Sequence, residues 1–140
     1  MLIGKYYHSL EEKGRISLPR KFRDQADEWV VTRGLDGCLF IFKKDKFEAE
    51  LSQLAERTFT KKANRDLTRL MANDASAVKT DDNGRVHLPE YLIEFARLVK
   101  DLVIVGSGSR IEVWDRDSYH AYLNQLEADA EDIAEKIEHD

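Results

Sequence analysis

The sequence predicts an α+β fold in which one ββαββ unit is present twice. The first observation is an internal repeat: residues 11–19 reappear, seventy positions later, as residues 81–89. Each copy has two acids, a turn residue, Gly, Arg, three strand-like positions and Pro. The second observation is that two β-rich runs and then helix-like segments follow each copy. A unit of about 35 residues has a marginal core, so we expect the two to close their sheets against each other in one barrel-like, pseudo-two-fold body.

Local signals define the elements of the first half. Gly14 can adopt the positive φ that a tight turn at residues 11–14 requires. The residues after it alternate polar and apolar side chains, as a half-buried strand does. Pro19 fits the first turn of a helix, because an N–H at that position would have no partner within the helix. The predicted elements are strands at residues 2–10, 15–18, 29–32 and 38–42, and a helix from 19 to about 26.

The second half follows the same plan, and helices follow each half. Strands are predicted at residues 77–80, 85–88, 102–105 and 110–114, with a helix at 89–96 and a hairpin loop at 106–109. Helices are predicted at 45–57, at 60–73 and from 115 to about 137. Thr60 can cap the second of these. Packing faces are indicated by leucines at helical spacing, Leu51, Leu54, Leu67 and Leu70.

Composition excludes several classes of protein. No apolar run approaches the roughly 20 residues of a membrane span, and the start has no signal-peptide pattern. The single cysteine, Cys38, fits a reducing cytoplasm and stands among strand-core residues, so we expect a packed thiol. The four histidines lack metal-ligand spacing, and the adjacent acids of each copy point to opposite faces of a strand. We therefore expect no metal, no cofactor, no small-molecule substrate and no enzymatic activity.

The charge is unevenly distributed along the chain. The net charge is −5, but residues 1–23 hold six basic residues against Glu11 and Glu12. Residues 112–140 hold ten acids against Arg116 and Lys136. Such asymmetry indicates an oriented surface that can bind a polyanion. Charge alone favours the simpler interpretation of two solvated faces, and both interpretations stay open at this point.

The ordered set of motifs resembles the MraZ family of bacterial proteins, within the AbrB-like swapped-hairpin and double-split β-barrel folds. The matching segments are residues 4–10, 13–15, 18–19, 21–23, 31–40 and 111–115. The resemblance implies two AbrB-like repeats in a double-split β-barrel, with a helical hairpin and a C-terminal helix packed outside. It implies a single domain over 1–140, with a first repeat at 1–50, a helical connection at 51–75 and a second repeat with its helix at 76–140.

The family's signature is an Asp-x-x-x-Arg pattern around the glycine turn. The second copy has Asp81 and Arg85, and the first has the longer Glu11 with Arg15. The charges make the first copy the better DNA-contact surface, because residues 14–27 have a net charge of +2 and residues 84–97 have none, and Arg23 follows the first copy where the second has Ile93. The DNA-binding residues expected are Lys13, Gly14, Arg15, Arg20, Lys21 and Arg23, with Arg85 in support.

Two interpretations of the paired acids stay open. An arginine beside a glycine turn can pair bidentately with guanine O6 and N7, and Glu11 can orient Arg15 through an ion pair as Asp81 can orient Arg85. Alternatively, Arg15 and Arg85 only tie their own turns to these acids.

The resemblance implies a DNA-binding transcriptional regulator that forms ring-shaped homo-oligomers and binds repeated promoter boxes upstream of the division and cell-wall gene cluster. Its partners would be promoter DNA and itself, in the cytoplasm at the nucleoid, with no membrane. Subunits would meet through Leu35, Phe40 and Phe42 or through the helical hairpin.

Two rival functions are an antitoxin-like interaction module with an unstructured tail and a hydrolase using the doubled acids. Against the first, apolar residues at helical spacing between Tyr119 and Ile137 predict that the C-terminal helix docks on its own body. Against the second, no residue pattern marks a pocket.

Overall fold

The computed structural model describes residues 1–138, which form eight strands and six helices. The strands are β1 (Leu2–Ser9), β2 (Arg15–Ser17), β3 (Glu28–Arg33), β4 (Leu39–Lys43), β5 (Ser76–Lys79), β6 (Arg85–His87), β7 (Asp101–Gly108) and β8 (Ile111–Asp115). The helices are α1 (Arg20–Arg23), α2 (Lys44–Glu56), α3 (Lys62–Asn73), α4 (Glu90–Phe95), α5 (Arg116–Ala128) and α6 (Ala130–Glu138). The predicted α+β class is confirmed.

The two halves interleave their strands instead of forming separate sheets. Six strands form one antiparallel sheet in the order β1-β7-β8-β4-β3-β5, and β2 pairs with β6 in a two-stranded ribbon. By the repeat, β1, β3 and β4 of the first half correspond to β5, β7 and β8 of the second. The strand order of the large sheet is therefore symmetric, with each strand and its counterpart at equal distances from the two edges. The expectation that each half has its own sheet was therefore wrong. A one-half sheet would leave one edge of β4 and one edge of β8 unpaired, and here these two edges pair with each other.

Both faces of the large sheet are covered. Along β3 and β4, successive side chains point to opposite faces, so Trp29 and Val31 belong to one buried cluster and Val30 to another. The ribbon and the helices α1 and α4 supply the rest of the first cluster, through Ile16, Phe22, Val86 and Leu92. The helices α2, α3 and α5 cover the opposite face, through Phe47, Met71, Tyr119 and Tyr122. The ribbon is thus fixed on the face opposite the helical hairpin α2–α3.

Several boundaries differ from the prediction. The first helix ends at Arg23 rather than near residue 26, and Lys61, with no side-chain cap, precedes α3 where Thr60 was expected to cap it. The C-terminal helix divides at Asp129, and Asp115 caps α5 by accepting from the Ser118 N–H. Residue 50, where the first repeat was expected to end, lies within α2. Residue 75, where the helical connection was expected to end, lies between α3 and β5.

The glycine-rich segment 106–109 is mostly strand rather than loop. Because β1 pairs with β7 as far as Leu2 opposite Gly108, the partner strand supplies the hydrogen bonds that extend β7. Gly106 is required there, since a Cβ would lie 2.5 Å from the Ile3 amide nitrogen and the Leu2 carbonyl carbon. The glycine therefore allows a close backbone approach.

We expect Gly106→Ala to lower the free energy of unfolding by about 1–3 kcal/mol, the usual effect of overpacking. The added methyl group would have to push β1 away from β7, and urea unfolding followed by circular dichroism measures the loss. Ser107→Ala is the control, because Ser107 is exposed and its Cβ is already accommodated. Equal stability of the two variants would contradict the close approach.

Candidate nucleic-acid interface

The two Gly-Arg segments, one from each half, meet in the ribbon of β2 and β6. Arg15 lies opposite His87, Ile16 opposite Val86, and Ser17 opposite Arg85. Ile16 and Val86 are fully buried against the sheet. Because side chains alternate along a strand, the flanking residues share the outer face. That face carries two arginines, a serine and a histidine, which are Arg15, Arg85, Ser17 and His87.

Reciprocal backbone hydrogen bonds join each turn to the other half. The Leu18 N–H donates to the Gly84 carbonyl at 3.1 Å, and the Leu88 N–H donates to the Gly14 carbonyl at 2.8 Å. Gly14 has the positive φ that its turn was predicted to need, at 71°, and Lys13 before it also has a positive φ, at 61°. Lys13 is thereby turned outward and exposed. Each turn is therefore bonded to the other half of the chain.

The residues four positions after each proline cross to the opposite turn. Ile93 approaches Gly14, where a Cβ would lie 3.0 Å from the Ile93 Cδ1 atom. Arg23 covers Gly84, where a Cβ would lie 2.0 Å from Nη1, and this nitrogen donates to the Asn83 carbonyl at 3.4 Å. Arg23, predicted to bind DNA, is therefore half-buried on the second turn.

The two acids of the signature have different contacts. Glu11 Oε1 lies 3.0 Å from Nη2 of Arg85, in the other copy, while its Oε2 accepts from Ser17 Oγ at 3.1 Å. The expected ion pair of Glu11 with Arg15 is not present among the described residues. The antiparallel register explains this, because it places Ser17 and Arg85 side by side.

Asp81 instead organises its own turn. Its Oδ1 accepts the backbone N–H groups of Asn83 at 2.8 Å and Arg85 at 2.9 Å. The bond from the Arg85 N–H, then that from Asn83 and the charges of Arg85 and Arg15, hold the pKa of Asp81 below its usual value. The shorter carboxylate thus fixes the backbone beside Arg85 rather than its guanidinium.

The two guanidinium groups differ in availability. Within residues 1–138, the Arg15 side chain makes no hydrogen bond or ion pair, whereas Nη2 of Arg85 is bonded to Glu11 and its Nε is buried without a protein partner. Both arginines, with Lys13, line one open depression of about 500 Å³ at the end of the ribbon. The structure therefore brings together basic groups from both copies. It leaves the Arg15 guanidinium with more unbonded N–H groups than that of Arg85.

Two further predicted basic residues lie on α1, the helix that follows β2. Arg20 and Lys21 are exposed, and Arg20 Nε lies 3.9 Å from the Asp24 carboxylate. His87 was not among the predicted site residues, but the register leaves its side chain exposed opposite Arg15. Only the pairing between the two copies, which no local pattern encodes, could have identified it.

Other chemistry is limited in the part of the chain that the structure describes. No group of three or more His, Cys, Asp or Glu residues is arranged to hold a metal there. None of the helices within 1–138 has the length and apolar character to span a bilayer. Cys38 is buried, with Sγ 3.2 Å from the Leu35 carbonyl oxygen, and burial raises the pKa of its thiol. Cys38 is thus a packed thiol.

These features define a duplicated α+β module that presents charged side chains on a ribbon formed jointly by its two copies. The chain belongs to the MraZ family: the family model described as "MraZ protein, putative antitoxin-like" matches residues 1–70 and again residues 71–138. The internal repeat is therefore a repeat of the family unit itself.

Similar proteins from three bacteria carry one name. Each is called "Transcriptional regulator MraZ", and the alignments cover 98% of this chain and 96% of each relative. Identity is 38% for the protein of Carboxydothermus hydrogenoformans, 39% for that of Pediococcus pentosaceus and 37% for that of Natranaerobius thermophilus. All three are named as regulators rather than enzymes, which agrees with the expectation for this chain.

We expect Asp81→Ala to lower the melting temperature near neutral pH, because the variant loses both backbone N–H bonds to the carboxylate. These bonds hold the pKa below the unfolded value of about 3.9. The stabilisation is therefore complete above that value and is lost as the pH falls through the folded-state pKa. Thermal unfolding of wild type and variant should differ at about pH 7 and converge at about pH 2.

Asp82→Ala is the matched control, since the Asp82 carboxylate makes no hydrogen bond among residues 1–138. A melting difference for Asp81→Ala that is the same at both pH values would contradict this role of the carboxylate.

Proposed function

We propose that this chain is a sequence-specific DNA-binding transcriptional regulator that reads promoter DNA with the outer face of the β2–β6 ribbon. The observation that carries the proposal is the common outer face of Arg15 and Arg85. A two-stranded β-ribbon has the width to enter the major groove of B-DNA. The name of the relatives, transcriptional regulator, supports the same function.

The basic residues would have distinct roles. The guanidinium of Arg15 is available for bidentate pairing with guanine O6 and N7. Lys13, Arg20 and Lys21 would neutralise phosphates and fix the register. Arg85, bonded to Glu11, would give a weaker or phosphate-directed contact. Gly14 lets the first turn form, and Arg23 would act chiefly by covering the second turn.

Self-association is the second part of the proposal. One ribbon with a few basic groups has modest affinity, whereas several ribbons on a ring gain through effective concentration at repeated boxes. We propose such a ring homo-oligomer, acting in the cytoplasm at the nucleoid on boxes upstream of the division and cell-wall gene cluster. The interleaved strand order and the reciprocal turn contacts support the finer assignment to a double-split β-barrel of two AbrB-like repeats.

The rival function is an antitoxin-like interaction module, in keeping with the wording of the family description. It depends on an unstructured partner-binding tail. Within residues 1–138, the C-terminal part of the chain is helical from Arg116 to Ala128 and from Ala130 to Glu138. The ribbon surface therefore gives the better-supported function.

Binding to a duplex from upstream of the chain's own gene, titrated at increasing salt, tests the proposal. Arg15→Ala should lose roughly 10- to 100-fold in affinity for this duplex relative to a scrambled one, because a bidentate base contact contributes about 1–3 kcal/mol. Lys21→Ala should weaken binding to both duplexes and reduce the salt slope by about 1.

Two exposed cations on distant helices serve as controls, Arg116→Ala for the arginine and Lys46→Ala for the lysine. If Arg15→Ala and Lys21→Ala bind like these controls, the ribbon is not the contact surface. If the wild-type protein prefers neither duplex, it is not a sequence-specific regulator.

The two arginines should be unequal in the same assay. We expect Arg85→Ala to lose less affinity than Arg15→Ala, because Nη2 of Arg85 already bonds to Glu11. Glu11→Gln separates the roles, since it frees Arg85 and should bring the two losses closer together. A loss at Arg85 equal to or larger than that at Arg15 in the wild-type background would reverse the ranking.

A further inference from the structure

The last part of the chain is an amphipathic helix whose apolar side is exposed. Tyr119 and Tyr122 of α5 pack on Trp114, with ring centroids 5.7 and 5.2 Å away. Beyond them the docking ends: Leu126 is 38% exposed, Ile133 37% and Ile137 69%. Ile133 and Ile137 lie four positions apart within α6 and so share one face of that helix, which forms an apolar stripe. The prediction that the helix docks on its own body as far as Ile137 was wrong.

The joint between α5 and α6 does not turn α6 back onto its own subunit. One residue, Asp129, joins α5 to α6. Its N–H donates to the Gln125 carbonyl at 3.2 Å, and the Ile133 N–H donates to the Asp129 carbonyl at 2.9 Å. Helical bonding thus runs through the joint, and no loop is available to reverse the chain. Among residues 1–138, Ile133 and Ile137 stay exposed, so the stripe is available to another molecule.

A groove that fits an apolar helix stripe lies on the helical hairpin. It runs between α2, α3 and β4, has a volume of about 300 Å³, and is named here the hairpin groove. The residues that give it an apolar floor and walls are Phe42, Phe47, Leu51, Leu54, Leu67 and Met71. Two of its lining leucines, Leu35 and Leu67, are exposed at 54% and 36%. The apolar lining of the groove is therefore accessible.

The charges of α6 and of the hairpin segment that adjoins the groove are opposite. Residues 126–138 contain six acids and one lysine, a net charge of −5. Residues 54–70 of the hairpin contain five basic and two acidic residues, a net charge of +3. Arg57 at the groove makes no side-chain hydrogen bond or ion pair among residues 1–138. Glu50 also lines the groove but lies 3.6 Å from Lys46, which offsets its charge.

We propose that α6 of one copy of this chain inserts its apolar stripe into the hairpin groove of a second copy. Apolar fit gives the contact its strength, and the opposite charges orient it. Because helix and groove are different surfaces, the contact is heterologous and repeats from copy to copy until a ring closes. The inference rests on the self-association in the proposed function, and it identifies the surfaces through which the copies would contact each other.

Light scattering after size-exclusion chromatography of the full chain tests this interface. The helix variant Ile133→Asp/Ile137→Asp and the groove variant Leu54→Asp/Leu67→Asp should each weaken association roughly thirtyfold or more, as at an interface hot spot. Each should then elute as a monomer at concentrations where the wild-type protein is an oligomer. Val99→Asp, in an exposed apolar site elsewhere, should keep the wild-type size.

Mixing the two monomeric variants gives the sharper test. The helix variant keeps an intact groove and the groove variant keeps an intact helix, so their mixture should form a one-to-one dimer. Arg57→Glu is a further variant that disturbs no internal contact, and it should weaken association most at low salt. A monomeric wild-type protein, variants of wild-type size, or a mixture that stays monomeric would each overturn the interface.

DNA binding separates this inference from the proposed function. The helix variant should bind a duplex with one box as the wild type does, through Arg15, and should lose the gain from several boxes. If no protein prefers box DNA while sizes change as expected, the regulator function fails and the interface stands. If box binding persists while the sizes are unchanged, the interface alone fails.

Discussion

The pairing of β2 with β6 is the interaction on which the rest of the structure depends. Each strand has three residues, too few for a ribbon that is stable alone. The ribbon forms because Ile16 and Val86 are buried against the large sheet and because each turn accepts an N–H from the other half. Burial of these two side chains contributes about 1.5–3 kcal/mol each. Consequently neither copy can present its arginine unless the other copy is folded beside it.

Carboxylate length makes the two copies unequal on this shared ribbon. Glu11 is long enough to reach Arg85 across the ribbon, and Asp81 is short enough to hold the backbone of its own turn. Both acids therefore restrain the second copy, and the guanidinium of Arg15 keeps its N–H groups available for a ligand. The asymmetry thus fits one arginine for contact and one for support.

The elements of the fold follow from local signals, but their assembly does not. Gly14, Pro19 and the repeated acids predict turns, strands and helices near their observed positions, because these residues act on their own backbone. Which strands pair, and hence that Glu11 meets Arg85 and Arg23 covers Gly84, depends on contacts between residues 61 to 74 positions apart. Helical periodicity similarly predicts an apolar stripe at Ile133 without identifying its cover. Site residues were predictable one by one, and their partners were not.

The net charge of −5 is compatible with DNA binding only if the acidic C-terminal segment is kept away from the ribbon. Screening limits the reach of an exposed charge to about 8 Å at physiological salt. The acidic helix α6 continues α5, which covers the sheet face opposite the ribbon, so the fold separates the two charges. In the proposed ring, the basic hairpin of a neighbour would also offset the acids of α6. The same contact that joins the copies would then remove the charge that opposes their approach to DNA.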